Sequence, residues 1–168
     1  MNFRDLPVWG RVRRNHALEH ATMHLLTRRN PFLSLVGRSD WRGYSIYGQA
    51  ATQEVAAAAH EALARLKAGE TDLAIHPRCG TMLATTGVLS GLAAFVTLGA
   101  VGRPRSRFRW GSLPEVLLAA SLAAVVAQPV GLVLQQYLTT SADVGNLQIG
   151  RIYKQRAGLV PIHRVDTY

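Results

Sequence analysis

The chain has 168 residues, with 19 Lys+Arg against 10 Asp+Glu and a formal net charge of +9. That length holds one modest domain, or a small domain with membrane segments, and the basic excess favours anionic partners: nucleic acid, lipid headgroups or acidic substrates. The single cysteine, Cys79, excludes an intrachain disulfide and gives an oxidising compartment no support.

Residues 1–10 read as an irregular, interfacial arm, with Phe3, Leu6, Val8 and Trp9 beside Arg4 and a break at Pro7. The chain opens without the apolar stretch of a cleavable signal peptide. From about Arg11 to Arg28 the spacing predicts a helix with Leu18, Ala21 and Leu25 on one face and His16, His20 and Thr27 on the other. Asn30-Pro31 ends it.

Inside this helix, Asn15-His-Ala-Leu-Glu-His20 contains an H-x-x-E-H pattern. Two imidazoles one turn apart converge on one ion, zinc by preference, and Glu19 between them can act as general base on metal-bound water. His24 continues the row about 12 Å along the axis from His16, so a straight helix cannot bring all three to one ion. His20/His24 is the reserve pair. The competing reading is a polar helix face with solvated histidines.

Residues 32–36 and Gly43–Tyr47 read as two strands, with 37–42 supplying the hairpin turn. Thr52 then caps a second helix to about Ala68, closed by Gly69, whose stripe is Val55, Ala59, Ala62, Leu63 and Leu66. Glu54, His60 and Glu61 lie off that stripe and read as solvated. Residues 73–76 read as a short third strand leading into Pro77.

Two charge-free runs follow, 79–102 and 116–142. At about 1.5 Å per helical residue each can cross a hydrocarbon core of roughly 30 Å. Gly87, Gly91 and Gly99 in the first, and Ala119, Ala120, Ala123 and Ala124 in the second, suit a close-packed hairpin. The alternative is a pair of buried core helices. The joining loop carries Arg103, Arg105, Arg107 and Arg109, which meet lipid phosphates most simply. Residues 146–153 and 160–165 read as the last two strands.

The fold class is therefore α+β: an α-β-β-α-β domain with a C-terminal β segment, interrupted by a transmembrane helical hairpin. The expected divisions are a soluble domain over 1–78, helices over 79–102 and 116–142, a basic loop over 103–115, and a tail over 143–168 that packs on the first domain. With 15 of the 19 basic residues in the soluble portions, both termini are expected in the cytoplasm of a bacterial cell, the spans in its inner membrane.

Two further groups adjoin the spans. His76-Pro-x-Cys79 offers two zinc-competent donors at a turn-compatible spacing, or else a strand-end histidine and a small buried thiol. Thr139-Thr-Ser-Ala-Asp143 follows the second run, and Asp143 either completes a metal sphere, orients a ligand histidine, or ends a polar turn. A hairpin brings residues 76–81 and 139–143 to one end.

These motifs, with Gly37-Arg-Ser-Asp40 and His76-Pro-x-Cys-Gly-Thr81 in order around two spans, resemble a family of uncharacterised bacterial membrane proteins, a domain of unknown function. The resemblance implies membrane residence and transfers no activity. A second, local likeness to inverzincin metallopeptidases covers residues 16–20 only.

Together these features point to a membrane metal-binding protein. His16 and His20 are ligands, with His76, Cys79 or Asp143 completing the sphere. If the site is open, Glu19 serves hydrolysis of a peptide or other amide near the membrane; if closed by four protein donors, the zinc is structural. The alternative is an accessory or scaffold subunit whose hairpin is covered by partner membrane proteins. Lipids are expected partners and nucleic acid is not, since aromatic and basic residues are not interleaved. Neither span holds a histidine, which argues against a pigment or haem bound deep in the bilayer.

Overall fold

In the computed structural model, which describes residues 7–77, 79–101, 110–155 and 160–168, the first element is the helix α1 (Pro7–Arg29). Pro7 suits the first helical position, where its missing N–H is one that the helix leaves unpaired anyway. Residues 7–10 are thus helical, not part of an irregular arm; residues 1–6 lie outside the described residues. The helix is enclosed nearly all round: Asn15, Ala17, Leu18, Glu19, His20, Ala21 and Thr22 are all buried.

Four strands form one antiparallel sheet in the order β1-β2-β4-β3: β1 (Val36–Asp40), β2 (Gly43–Tyr47), β3 (Ile149–Gln155) and β4 (Ile162–Thr167). The first strand is displaced from the expected 32–36, where Phe32 is 96% exposed and has no core to face. Asp40 pairs with Gly43, so the hairpin turn is only Trp41 and Arg42. Gly43, at φ +145, sits where a Cβ would run into the carbonyl of Val165 on β4. The C-terminal segment closes the sheet, as the sequence pattern predicts for an α+β fold: β4 lies between β2 and β3, with Ile46 opposite His163.

Helix α2 (Thr52–Lys67) buries Val55, Ala58, Ala59, Ala62, Leu63 and Leu66 against the same core. Its N-cap is Ala51, whose N–H donates to Glu54; Thr52 is already helical, with its hydroxyl 3.2 Å from His163 Nδ1. Glu61 is drawn into surface ion pairs with Arg29 and Arg65. The core joins these helices to Tyr44 and Ile46 of β2 and Val165 of β4. Residues 73–76 are not a strand. A 3-10 turn over Thr71–Ala74 packs Leu73 and Ala74 into that core.

Polar groups fasten α1 to the sheet. Asn15 Nδ2 donates to the Asp40 carbonyl at 2.8 Å, and Thr167 Oγ1 donates to Asn15 Oδ1 at 2.7 Å, all around a fully buried amide. Thr22 gives its proton to Leu18 O, so the Tyr44 hydroxyl donates to Thr22 Oγ1 at 2.8 Å. Burial pushes the Tyr44 phenol well above its usual proton affinity. Asn15→Ala strips the buried Thr167 hydroxyl and the Asp40 carbonyl of this partner and is expected to cost about 1–3 kcal/mol, read as a lower denaturation midpoint.

The described residues fall into two units, one from Met1–His76 and Gln136–Tyr168, the other from Pro77–Gln135. The second unit holds α3 (Gly80–Val101) and α4 (Leu113–Leu134), the latter continuing as a π-helical stretch over Gln135–Thr139. The arginines of 103–109 lie outside the described residues. The two helices pack as a hairpin, with Ser90 Oγ donating to Ala120 O at 3.0 Å and Gly131 seated on Met82. Gly87, Gly91 and Gly99 do not form the seam: a Cβ on any of them would meet nothing within 4 Å. Gly80–Gly99 and Leu113–Thr139 are long and apolar enough to cross a membrane. Only 11% of each apolar window is buried, whereas a core helix of a soluble fold is mostly enclosed.

Candidate metal centre

The histidine row of α1 projects from a buried segment of helix. His16 and His20 lie one turn apart with ring centroids separated by 4.3 Å. The ring of His76 comes to 5.7 Å from His20 and 4.7 Å from His24. Four imidazoles thus form one chain of contacts, 16–20–76–24, within the first unit.

Backbone carbonyls orient these rings. His16 Nδ1 is 3.0 Å from Thr139 O, His20 Nδ1 is 2.8 Å from Ala74 O, and His24 Nε2 is 2.8 Å from Ile75 O. A carbonyl can only accept, so a neutral ring must place its proton on the nitrogen that faces it. That assigns Nδ1–H to His16 and His20 and leaves Nε2 of both as the lone-pair nitrogen. Metal-binding histidines are commonly fixed in this way. The carbonyls of Ala74 and Ile75 accept from histidine side chains where a strand would pair them with a neighbour, which accounts for the missing third strand.

Electrostatics keep His20 neutral. Burial, followed by the neighbouring His16, lowers its pKa to about 3, against the opposing hydrogen bond to Ala74. Nitrogen ligands must be unprotonated to bind a metal, so this ring is prepared for coordination at neutral pH.

Glu19 is enclosed on the β1 side of α1. Ser39 Oγ donates to its Oε2, and its carboxylate occupies the space a side chain at position 37 would need. Burial raises its proton affinity, opposed by His16 and by the Ser39 hydrogen bond. Gly37 and Ser39 therefore build the carboxylate's pocket. They alternate along β1 and so share a face; the glycine in that pattern is the sequence signal for close approach.

Asp143 is exposed and closes its own turn, with the N–H of Gly145 donating to Oδ1 at 3.0 Å. Cys79 is buried at the entrance to α3, where the N–H of Thr81 donates to its sulfur at 3.4 Å. Three peptide units separate it from His76, so chain continuity alone holds their Cα atoms within about 11 Å. Within the first unit, His16 and His20 bring two imidazole donors together, the chemistry of a metal-binding group.

The family model for a domain of unknown function, DUF6391, matches residues 11–152. The chain is also 33% identical over 152 residues to an uncharacterised protein of Picosynechococcus sp., covering 84% of this chain and 71% of that protein. No solved structure matches. The matched stretch takes in the histidine row, the Gly37–Ser39 pocket, both apolar helices and most of β3, and the chain belongs to the DUF6391 family.

Proposed function

We propose that the protein is a membrane-resident metal-binding protein, with zinc the ion, His16 and His20 its principal donors, and Cys79, three residues past His76 in the chain, a further donor. The carrying observation is the pair of imidazoles at 4.3 Å whose Nδ1 atoms both face carbonyls, which makes Nε2 the lone-pair nitrogen of each neutral ring. His76 is the fourth donor if the sphere is closed. Membrane residence rests on the outward apolar surface of the helical hairpin, including Leu83, Phe95, Leu118 and Val125, all more than 60% exposed. In water such a surface would be an aggregation liability; lipid chains remove that penalty.

Metal analysis of the purified full chain tests the assignment. Wild type is expected to hold about one zinc per chain, the stoichiometry of a single zinc site. His20→Ala should lose it, and Glu19→Gln should retain it. In a cobalt-substituted sample, sulfur-to-cobalt charge-transfer absorption should be present in wild type and absent in Cys79→Ser. A wild type that takes up no metal at neutral pH overturns the assignment.

A second reading is favoured by Glu19. Its raised proton affinity and its place beside His16 suit a general base. On this reading the site is open, and the substrate is a peptide or other amide near the membrane. Glu19→Gln should then abolish amide turnover while keeping zinc. Equal turnover in the variant assigns the carboxylate a purely structural role.

A further inference from the structure

A cavity of about 590 Å³ opens at the end of the sheet marked by the β1–β2 turn, lined by Arg11, Arg42, Arg151 and Arg164 together with Trp41 and Tyr153. We infer that this cavity is a binding site for a phosphate-bearing small molecule or lipid headgroup, independent of the histidine cluster.

The sequence order explains how the cations meet. Arg151 and Tyr153 are two apart on β3 and share a face; Arg164 and Asp166 do the same on β4, and Tyr153 pairs with Arg164. Trp41 and Arg42 are the two turn residues between β1 and β2. Arg11 arrives from α1, donating Nη2 to the carbonyl of Thr167 at 3.0 Å.

The four arginines do not play one part. Arg164 is buried and already paired with two carboxylates: its Nη1 and Nη2 bind Asp40 at 2.6 and 2.9 Å, and its Nε binds Asp166 at 3.0 Å. It forms a rigid floor. Arg11 spends one donor on the backbone and keeps the rest of its fork. Arg42 and Arg151 are exposed and, among the described residues, have no carboxylate partner. Each instead lies over an aromatic ring, Arg42 at 5.2 Å from the Trp41 centroid and Arg151 at 5.8 Å from that of Tyr153. Stacking restrains a guanidinium while leaving its edge donors available.

Counting both carboxylates that grip Arg164, the group still carries two uncompensated positive charges. A guanidinium fork fits phosphate oxygens in pairs, and a ligand bearing two or more negative charges answers the balance. The volume falls in the range of small-molecule sites and exceeds what one inorganic phosphate fills. The shared chemistry is therefore a phosphate ester, either soluble or part of a lipid.

Sodium pyrophosphate is the probe, titrated calorimetrically into the full chain in nonionic detergent, with tryptophan fluorescence as a second signal. Saturable binding is expected, weakening as salt rises. The Arg42→Ala/Arg151→Ala double variant should bind roughly tenfold or more weakly, since charge-assisted bonds are lost. Its thermal midpoint and zinc content should not change. The titration is then repeated in phosphatidylcholine nanodiscs with and without phosphatidylglycerol. Competition by the anionic lipid identifies a headgroup as the occupant; undiminished binding identifies a soluble ester. Absence of saturable binding in detergent and in phosphatidylcholine discs, or full affinity in the double variant, overturns the inference.

Discussion

Acidifying the zinc-free protein from pH 7 to pH 4 is expected to cost about 3 kcal/mol of stability through His20 alone. Its pKa is near 3 in the folded chain against an ordinary 6.5. Between those values the unfolded chain binds a proton that the folded chain refuses. Stability from this group is therefore complete above about pH 6.5 and is lost as pH falls toward about 3, with an upper bound of about 5 kcal/mol. Glu19 acts with the opposite sign. Its folded pKa is raised, so its contribution is complete below about 4.5 and is lost as pH rises through the folded value. Acidification recovers that part and makes the wild-type slope shallower than His20 alone dictates. Denaturation of the chelator-treated chain at pH 7, 5.5 and 4 checks this. His20→Gln removes the titration but keeps a donor for Ala74 O, and should flatten the acid limb; Glu19→Gln should steepen it. Identical slopes in all three chains would contradict the assignment. Zinc should stabilise the wild type most at neutral pH and progressively less in acid, because protons compete for the same nitrogens.

The parts of the fold legible in the sequence are those in which one simple pattern decides the outcome. The charge-free runs 79–102 and 116–142 became α3 and α4 because length and apolarity suffice for such helices. The stripe Val55, Ala59, Ala62, Leu63 and Leu66 specified α2, and alternation specified β2. The pattern misled where side chains stand in for backbone partners. Residues 32–36 look more like a strand than Val-Gly-Arg-Ser-Asp, yet the latter forms β1. Gly37 there admits a carboxylate, Ser39 bonds it, and Asp40 grips Arg164 and presents its carbonyl to Asn15. Leu73 and Ala74 likewise look strand-forming, but their segment serves α1 by feeding carbonyls to histidines.

The candidate site shows the same division. The spacing of His16, Glu19 and His20 was visible, and so was the nearness of His76 and Cys79 along the chain. The sequence could not show that the helix face bearing the histidines is buried. A row of His, Glu and His reads as polar, and polar faces are ordinarily solvated. Here the burial is sustained by bonds to Ala74 O, Thr139 O and Ser39 Oγ, which arrive from three distant segments.

The contact between Gly37 and Glu19 supplies the second large effect. Gly37→Val is expected to destabilise the chain by about 3–5 kcal/mol, combining overpacking with loss of the bond to a buried carboxylate. A Cβ at this position overlaps Oε1 and the carboxyl carbon of Glu19, so one of the two side chains must leave. The effect should depend on Glu19 itself. Glu19→Ala empties the space the new side chain needs, so the double variant Gly37→Val/Glu19→Ala should be more stable than the sum of the single changes by about 1–3 kcal/mol, the range of coupling between residues in contact. Denaturation midpoints of the four chains give that coupling directly, and additive values would show that the pocket yields without involving the carboxylate. Zinc content adds the functional readout. If the β1 pocket only shelters Glu19, all four chains retain the ion. If Glu19 also holds α1 in the rotation that aims His16 and His20 together, zinc is lost in Gly37→Val and in Glu19→Ala alike, while Glu19→Gln keeps it.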